Sequence, residues 1–159
     1  MNPRPIMNFA VQFGVQIALN LDLMVEKNGR YYLVNPVIKA LITKDFFYAG
    51  VYLGKAKEGK FFPSFNLLGM LAKKEANRII LDRKASWLFI CGRDVMGKGI
   101  VRVQGPGKKE TNTLVLNEFG ECLGFGRIVV KLSGSLGDNE VAVRNVSDIG
   151  DFLRRERGF

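Results

Sequence analysis

From Arg83 onward the chain is a series of short apolar runs separated by glycine-bearing turns, a rhythm that suits small β-structures rather than helical bundles. The runs are Trp87 to Ile90, Ile100 to Val103, Thr113 to Leu116, Leu123 to Leu132 and Glu140 to Arg144. Each has the length of one strand, and six or so of them in about seventy-five residues predict a small barrel or sandwich. The stretch from Gly92 to Lys98 reads as a brief helical turn, and Ser147 as the cap of a terminal helix. The 18 glycines and 5 prolines of the 159-residue chain fit this turn-rich reading.

The first half has a different grain. Phe9, Phe13 and Ile17 recur every four residues, which predicts an amphipathic helix over roughly Met7 to Leu19. Asn28-Gly29 between two strand-like runs is a hairpin signal. Asn35-Pro36 reads as a helix cap followed by proline at the first helical position. Phe46 to Leu53 and Phe61 to Phe65 flank a charged loop, Asn66 is positioned to cap a further helix, and Arg78 to Leu81 closes the segment as a strand. The expected fold class is therefore α+β, with an N-terminal α/β domain over residues 1–83 and a small β-domain over residues 84–159.

Charge narrows the partners. Lys and Arg number 24 against 15 acidic residues, a net +9, and a field of that sign attracts polyanions, RNA and DNA first among them. Residues 1–83 carry net +6 and residues 84–159 net +3. The sequence contains no histidine, which removes Ser-His and Cys-His nucleophiles and imidazole metal ligands. Cys91 and Cys122 match no zinc spacing and are expected to be reduced, mostly buried thiols of a cytoplasmic protein, with a single disulfide between them as the alternative. The apolar stretch Phe9 to Leu19 is too short and polar to cross a bilayer, so no membrane association is expected. Gly107-Lys108 lacks the first glycine and the Ser/Thr of a phosphate loop, and Gly124-Phe125-Gly126 lacks the third glycine of a dinucleotide loop.

Several segments resemble a known family. Phe89-Ile90-Cys91-Gly92-Arg93-Asp94-Val95, followed by Gly97-Lys98-Gly99-Ile100, is similar to the first strand, helical turn and second strand of a PUA domain. Gly120 to Arg127 resembles the central hairpin of that fold, where a glycine pair lets strands approach closely. With the ending Val146 to Arg155, the likeness narrows to the "Nip-seven" family of large-ribosomal-subunit biogenesis factors, in an archaeal-like form. Arg93-Asp94 depart from the eukaryotic pattern of that family, which has an Asn-His pair there.

The resemblance implies a PUA-type β-barrel with a short helix and a C-terminal helix. It also implies a non-catalytic role in pre-rRNA processing and large-subunit assembly, with no cofactor. The implied partners are RNA, pre-ribosomal or otherwise single-stranded and uridine-rich stretches included, and other ribosome-assembly or RNA-processing proteins.

The candidate RNA-binding residues are Arg93, Lys98, Arg127, Lys131, Arg154, Arg155 and Arg157. Arg93 and Lys98 flank the turn that the resemblance places near RNA. Strand alternation puts Phe125, Arg127, Val129 and Lys131 on one face, where cations could meet phosphates and a ring could stack a base; a solvated sheet face is the competing account. The three arginines end the terminal helix, where they also complement the helix dipole. Asp151 stands four residues before Arg155 and is expected to tie it, leaving Arg154 and Arg157 freer. Two other functions remain open: an RNA-modifying enzyme, and a protein adaptor whose charge serves an acidic partner.

Overall fold

In a computed structural model, residues 1–42, 45–134, 136–151 and 154 are described. Four strands, β1 (Met24–Lys27), β2 (Arg30–Leu33), β3 (Val51–Lys57) and β4 (Lys60–Pro63), form an antiparallel meander in sequence order. The hairpin between β1 and β2 turns where expected, with Asn28 and Gly29 both at positive φ (52° and 74°), the backbone that an Asn-Gly pair favours. Three helices accompany this sheet: α1 (Arg4–Val11), α2 (Pro36–Leu41) and α3 (Phe65–Ala72). The Asn35 side chain caps α2 by accepting from the Ile38 amide at 2.7 Å. Helix α3 starts two residues earlier than expected, because Ser64 rather than Asn66 is its cap and accepts from the Leu67 amide at 3.2 Å. Helix α1 is shorter than the periodicity predicts and ends before Gly14, whose φ of 73° leaves the helical region.

The second sheet has six strands in the order β6-β10-β9-β8-β5-β7, comprising β5 (Arg78–Leu81), β6 (Val95–Met96), β7 (Ile100–Gln104), β8 (Asn112–Leu116), β9 (Cys122–Ile128) and β10 (Val141–Asp148). All pairings are antiparallel except β5 with β8. The strand expected to close the first unit thus pairs inside the second sheet, between β8 and β7. Ser147, expected to cap a helix, is a residue of β10.

Trp87 to Ile90 is not a strand. It is the end of helix α4 (Arg83–Ile90), capped by the Asp82 carboxylate, which accepts from the Ala85 amide at 2.7 Å. The segment expected to be a helical turn instead holds β6 and a single 3-10 turn, Gly97–Gly99. Helix α4 packs on β5, β6, β9 and β10 and so bridges strands from distant parts of the sheet.

Two apolar clusters form. One lies inside the six-stranded sheet around Ile79, Leu81, Val115 and Val143, with Phe89 of α4 fully buried in it. The other joins the two sheets: Leu114, Leu116 and Phe125 pack against Phe9, Phe13 and Leu68. The Phe125 ring lies 5.5 Å from that of Phe9 and 5.6 Å from that of Phe13, both edge-on. Burying such rings contributes roughly 1.5–3 kcal/mol each, so the N-terminal unit and the β-domain share a core. Among the described residues no helix is long and apolar enough to cross a membrane.

Candidate nucleic-acid interface

Helix α4 shows one buried and one open face. Phe89 enters the core, while Trp87 is 65% exposed and Leu88 is 40% exposed. Arg83 and Lys84 stand four and three residues before Trp87, which places both cations on the tryptophan's side of the helix. Both are exposed, and among the described residues neither makes an ion pair. The helix ends in a Schellman motif: the Gly92 amide donates to the Phe89 carbonyl at 2.9 Å and the Arg93 amide to that of Leu88 at 3.0 Å, with Gly92 at φ 90°. That geometry sets exposed Arg93 directly beyond α4. Lys98 stands on the 3-10 turn, which meets the start of the same helix: the Asp82 amide donates to the Gly99 carbonyl at 3.0 Å, and Lys98 donates to Asn139 Oδ1 at 3.0 Å. Arg93 and Lys98, singled out from sequence, therefore stand near opposite ends of the helix whose open face carries Arg83, Lys84 and an exposed indole. An aromatic plane beside unpaired cations can stack a base while neighbouring charges hold phosphate.

Sequence reasoning missed Trp87 because an apolar run of four was read as a strand. Asp82, three residues before Ala85, was the available signal for a helix start.

The expected strand face is only partly present. Phe125 is 6% exposed and committed to the shared core, so it offers no ring to a ligand. The reason is that α1 covers this part of the sheet. Arg127 is exposed but paired with Glu110 at 3.1 Å, and Lys131 is exposed beyond the end of β9. The Leu132 amide donates to the Gly107 carbonyl at 2.9 Å, which brings Lys131 beside the loop bearing Lys108 and Lys109.

Arg154, expected to be one of the freer arginines, is held in place. Its guanidinium donates to both oxygens of Asp148, at 3.0 and 2.7 Å, and to the Ile90 carbonyl at 2.6 Å, and it stands 3.8 Å from Asp151. Asp148 is 2% exposed, and its carboxylate holds the arginine above its ordinary pKa. Asn145 joins the same network by donating to Asp148 at 3.1 Å and to the Phe89 carbonyl at 2.9 Å, while its amide donates to Asp94 at 2.8 Å. The network fastens the end of α4 to β10. Glycines make room for it: a Cβ at Gly150 would sit 1.9 Å from the Ile90 carbonyl oxygen, and one at Gly92 would sit 3.2 Å from the Arg154 guanidinium. Arg155 and Arg157 lie outside the described residues. Cys91 and Cys122 are both free thiols, and Cys91 is exposed at the end of α4 rather than buried.

A six-stranded, mostly antiparallel sheet crossed by one short helix, with glycines where strands meet closely, defines a PUA domain. The sequence pattern of the UPF0113 PUA domain matches residues 77–157, just over half of the chain and beginning one residue before β5. The chain belongs to this family. A curated relative, the UPF0113 protein of Archaeoglobus fulgidus, is 30% identical over 116 residues, which cover 70% of this chain and 64% of that protein. The chain therefore spans less than two thirds of that relative's length.

Among solved structures, a conserved PUA domain protein from Thermoplasma acidophilum superposes with a TM-score of 0.60 at 17% identity, covering 96% of this chain and 92% of that one. A hypothetical protein from the archaeon Pyrococcus horikoshii gives 0.59 at 14% identity, covering 98% and 96%. At these identities the likeness concerns the fold, and it extends over both units.

Proposed function

We propose that this protein is a non-catalytic RNA-binding factor whose PUA domain meets single-stranded RNA on the open face of α4. The observation that carries the reading is Trp87, 65% exposed on a PUA-domain helix, with Arg83 and Lys84 on its side of that helix. A large exposed indole is costly in water unless something covers it, and cations at helical spacing select an anionic cover. Arg127 and Lys131, with Lys108 and Lys109, extend the path for a phosphate backbone. The finer assignment is to large-subunit ribosome assembly and pre-rRNA processing in the cytoplasm. It rests on the resemblance of residues 89–100 and 120–127 to the "Nip-seven" factors, and on their ending pattern.

The test is fluorescence anisotropy with a single-stranded oligouridine across a salt series. If about four cations engage phosphates, log K falls with log salt at a slope near −3, about −0.7 per phosphate. Wild-type binding without a salt slope, or no binding, would overturn the proposal. A second reading, a protein adaptor, is favoured by the exposed apolar residues Val37, Leu41 and Phe47 of the N-terminal unit, which are 69%, 74% and 88% exposed.

A further inference from the structure

We propose that the cleft between α1, β4 and β10 is a second RNA contact, one that takes unpaired bases from a strand whose phosphates run along its rim. The proposal rests on the RNA-binding reading and adds a site that α4 does not provide. The cleft measures about 1130 Å³. Pockets for single small molecules run roughly 300–1,000 Å³, so this one has the scale of a short stretch of polymer.

Its walls carry the chemistry of base recognition. Arg4, Asn8 and Gln12 follow one another at four-residue spacing along α1, so cation, amide and amide form a single exposed stripe. Asn112 of β8 donates to the Gln12 carbonyl oxygen at 2.7 Å and ties the stripe to the PUA sheet. That bond leaves the Gln12 amide hydrogens and the Asn112 carbonyl oxygen without a partner among the described residues. Adjacent amide donors and acceptors match the edge of a base, which presents the same pair. Phe62 of the edge strand β4 also lines the cleft and is 54% exposed, a ring on which a base can stack. The floor is rigid, because the Phe9 ring lies 5.5 Å from those of both Phe61 and Phe125.

The lining favours RNA over an acidic peptide. The cations Arg4 and Lys60 are exposed, while amides and rings line the walls, which is the order of phosphate and base in a strand laid across the cleft. The two carboxylates that line it, Asp148 and Asp151, face Arg154 at 2.7 and 3.8 Å, so their charge is offset locally. A duplex cannot use the recess, since its bases are stacked and paired.

The experiment compares full-length protein binding to a uridine dodecamer and to an abasic ribose-phosphate strand of the same length, with 4-thiouridine crosslinking to locate the bases. Wild type should prefer the uridine strand by about a hundredfold, about tenfold from stacking at Trp87 and about tenfold from the cleft. Asn8→Ala/Gln12→Ala and Phe62→Ala should each lose most of the tenfold that the cleft supplies while keeping abasic affinity, and Phe62→Tyr should restore it. Crosslinked peptides should include β4. All these positions are exposed, and a thermal melt confirms that each variant is folded. If the preference survives both variants and crosslinks fall only on α4, the cleft is excluded and the α4 interface stands. If wild type binds neither strand, both RNA proposals fail and a peptide becomes the remaining occupant of the cleft.

Discussion

The two ends of α4 hold arginines in opposite circumstances. At its start, Arg83 lies beside Trp87 with no ion pair among the described residues. At its end, Arg154 is bonded to a nearly buried carboxylate and to a main-chain carbonyl, inside a network that also fixes Asn145 and Asp94. A cation so engaged contributes to the fold, and a cation left open is available to a ligand. Net charge cannot tell the two apart. The partner geometry can.

The sharpest way to break this contrast is Asp148→Ala. It strands Arg154 and removes an acceptor of Asn145, which should cost about 3 kcal/mol and lower Tm by roughly 6–12 °C in a calorimetric scan. Oligouridine affinity at a temperature where the variant is folded should change little. The reverse pattern is expected for Trp87→Ala: about a tenfold loss of oligouridine affinity by anisotropy, from a lost stacking contact of 1–3 kcal/mol, with stability within about 0.5 kcal/mol of wild type.

Gly92→Ala probes where the two regions meet. It forces a side chain into positive φ against the Arg154 guanidinium and should cost roughly 1–2 kcal/mol by denaturant titration, with RNA affinity following only as Arg93 is displaced.

The smallest effect is pH-linked. Burial pushes the Cys122 thiol above its ordinary pKa, and Tyr52 is raised for the same reason. The folded state therefore holds these protons longer than the unfolded chain. Their contribution is fully present well below about pH 8.5, where an unfolded cysteine is half ionised, and is lost as pH rises above it. Urea midpoints should fall as pH rises beyond about 8.5, and less so in Cys122→Ser.

What was legible in the sequence is what local chemistry determines. Asn28-Gly29 and Asn35-Pro36 made their turn and cap because the signal and its consequence lie within four residues. The glycine pair at 124 and 126 also behaved as read: a Cβ at Gly124 would lie 2.0 Å from the Ser147 carbonyl oxygen across the strand pair. Long-range choices were not legible. Arg78 to Leu81 looks like any apolar strand, and only the three-dimensional pairing with β8 and β7 assigns it to the PUA sheet. Phe125 alternates correctly with Arg127, but alternation cannot say that α1 would cover one and spare the other. The ending from Val146 carried part of the resemblance, yet the role of its Asp148-Ile149-Gly150 run is structural. Asp148 holds Arg154, and Gly150 lets the chain pass against the Ile90 carbonyl. Trp87 was read as part of a strand because four successive apolar residues show no helical period.

The most direct test of the division between an open α4 face and a committed Arg154 is the salt dependence of oligouridine affinity for Arg83→Ala/Lys84→Ala beside wild type. Removing two phosphate contacts should weaken binding about tenfold near physiological salt and make the slope shallower by about 1.4. An unchanged slope, together with loss of binding in a folded Arg154→Ala variant, would contradict it and return the RNA to the C-terminal arginines.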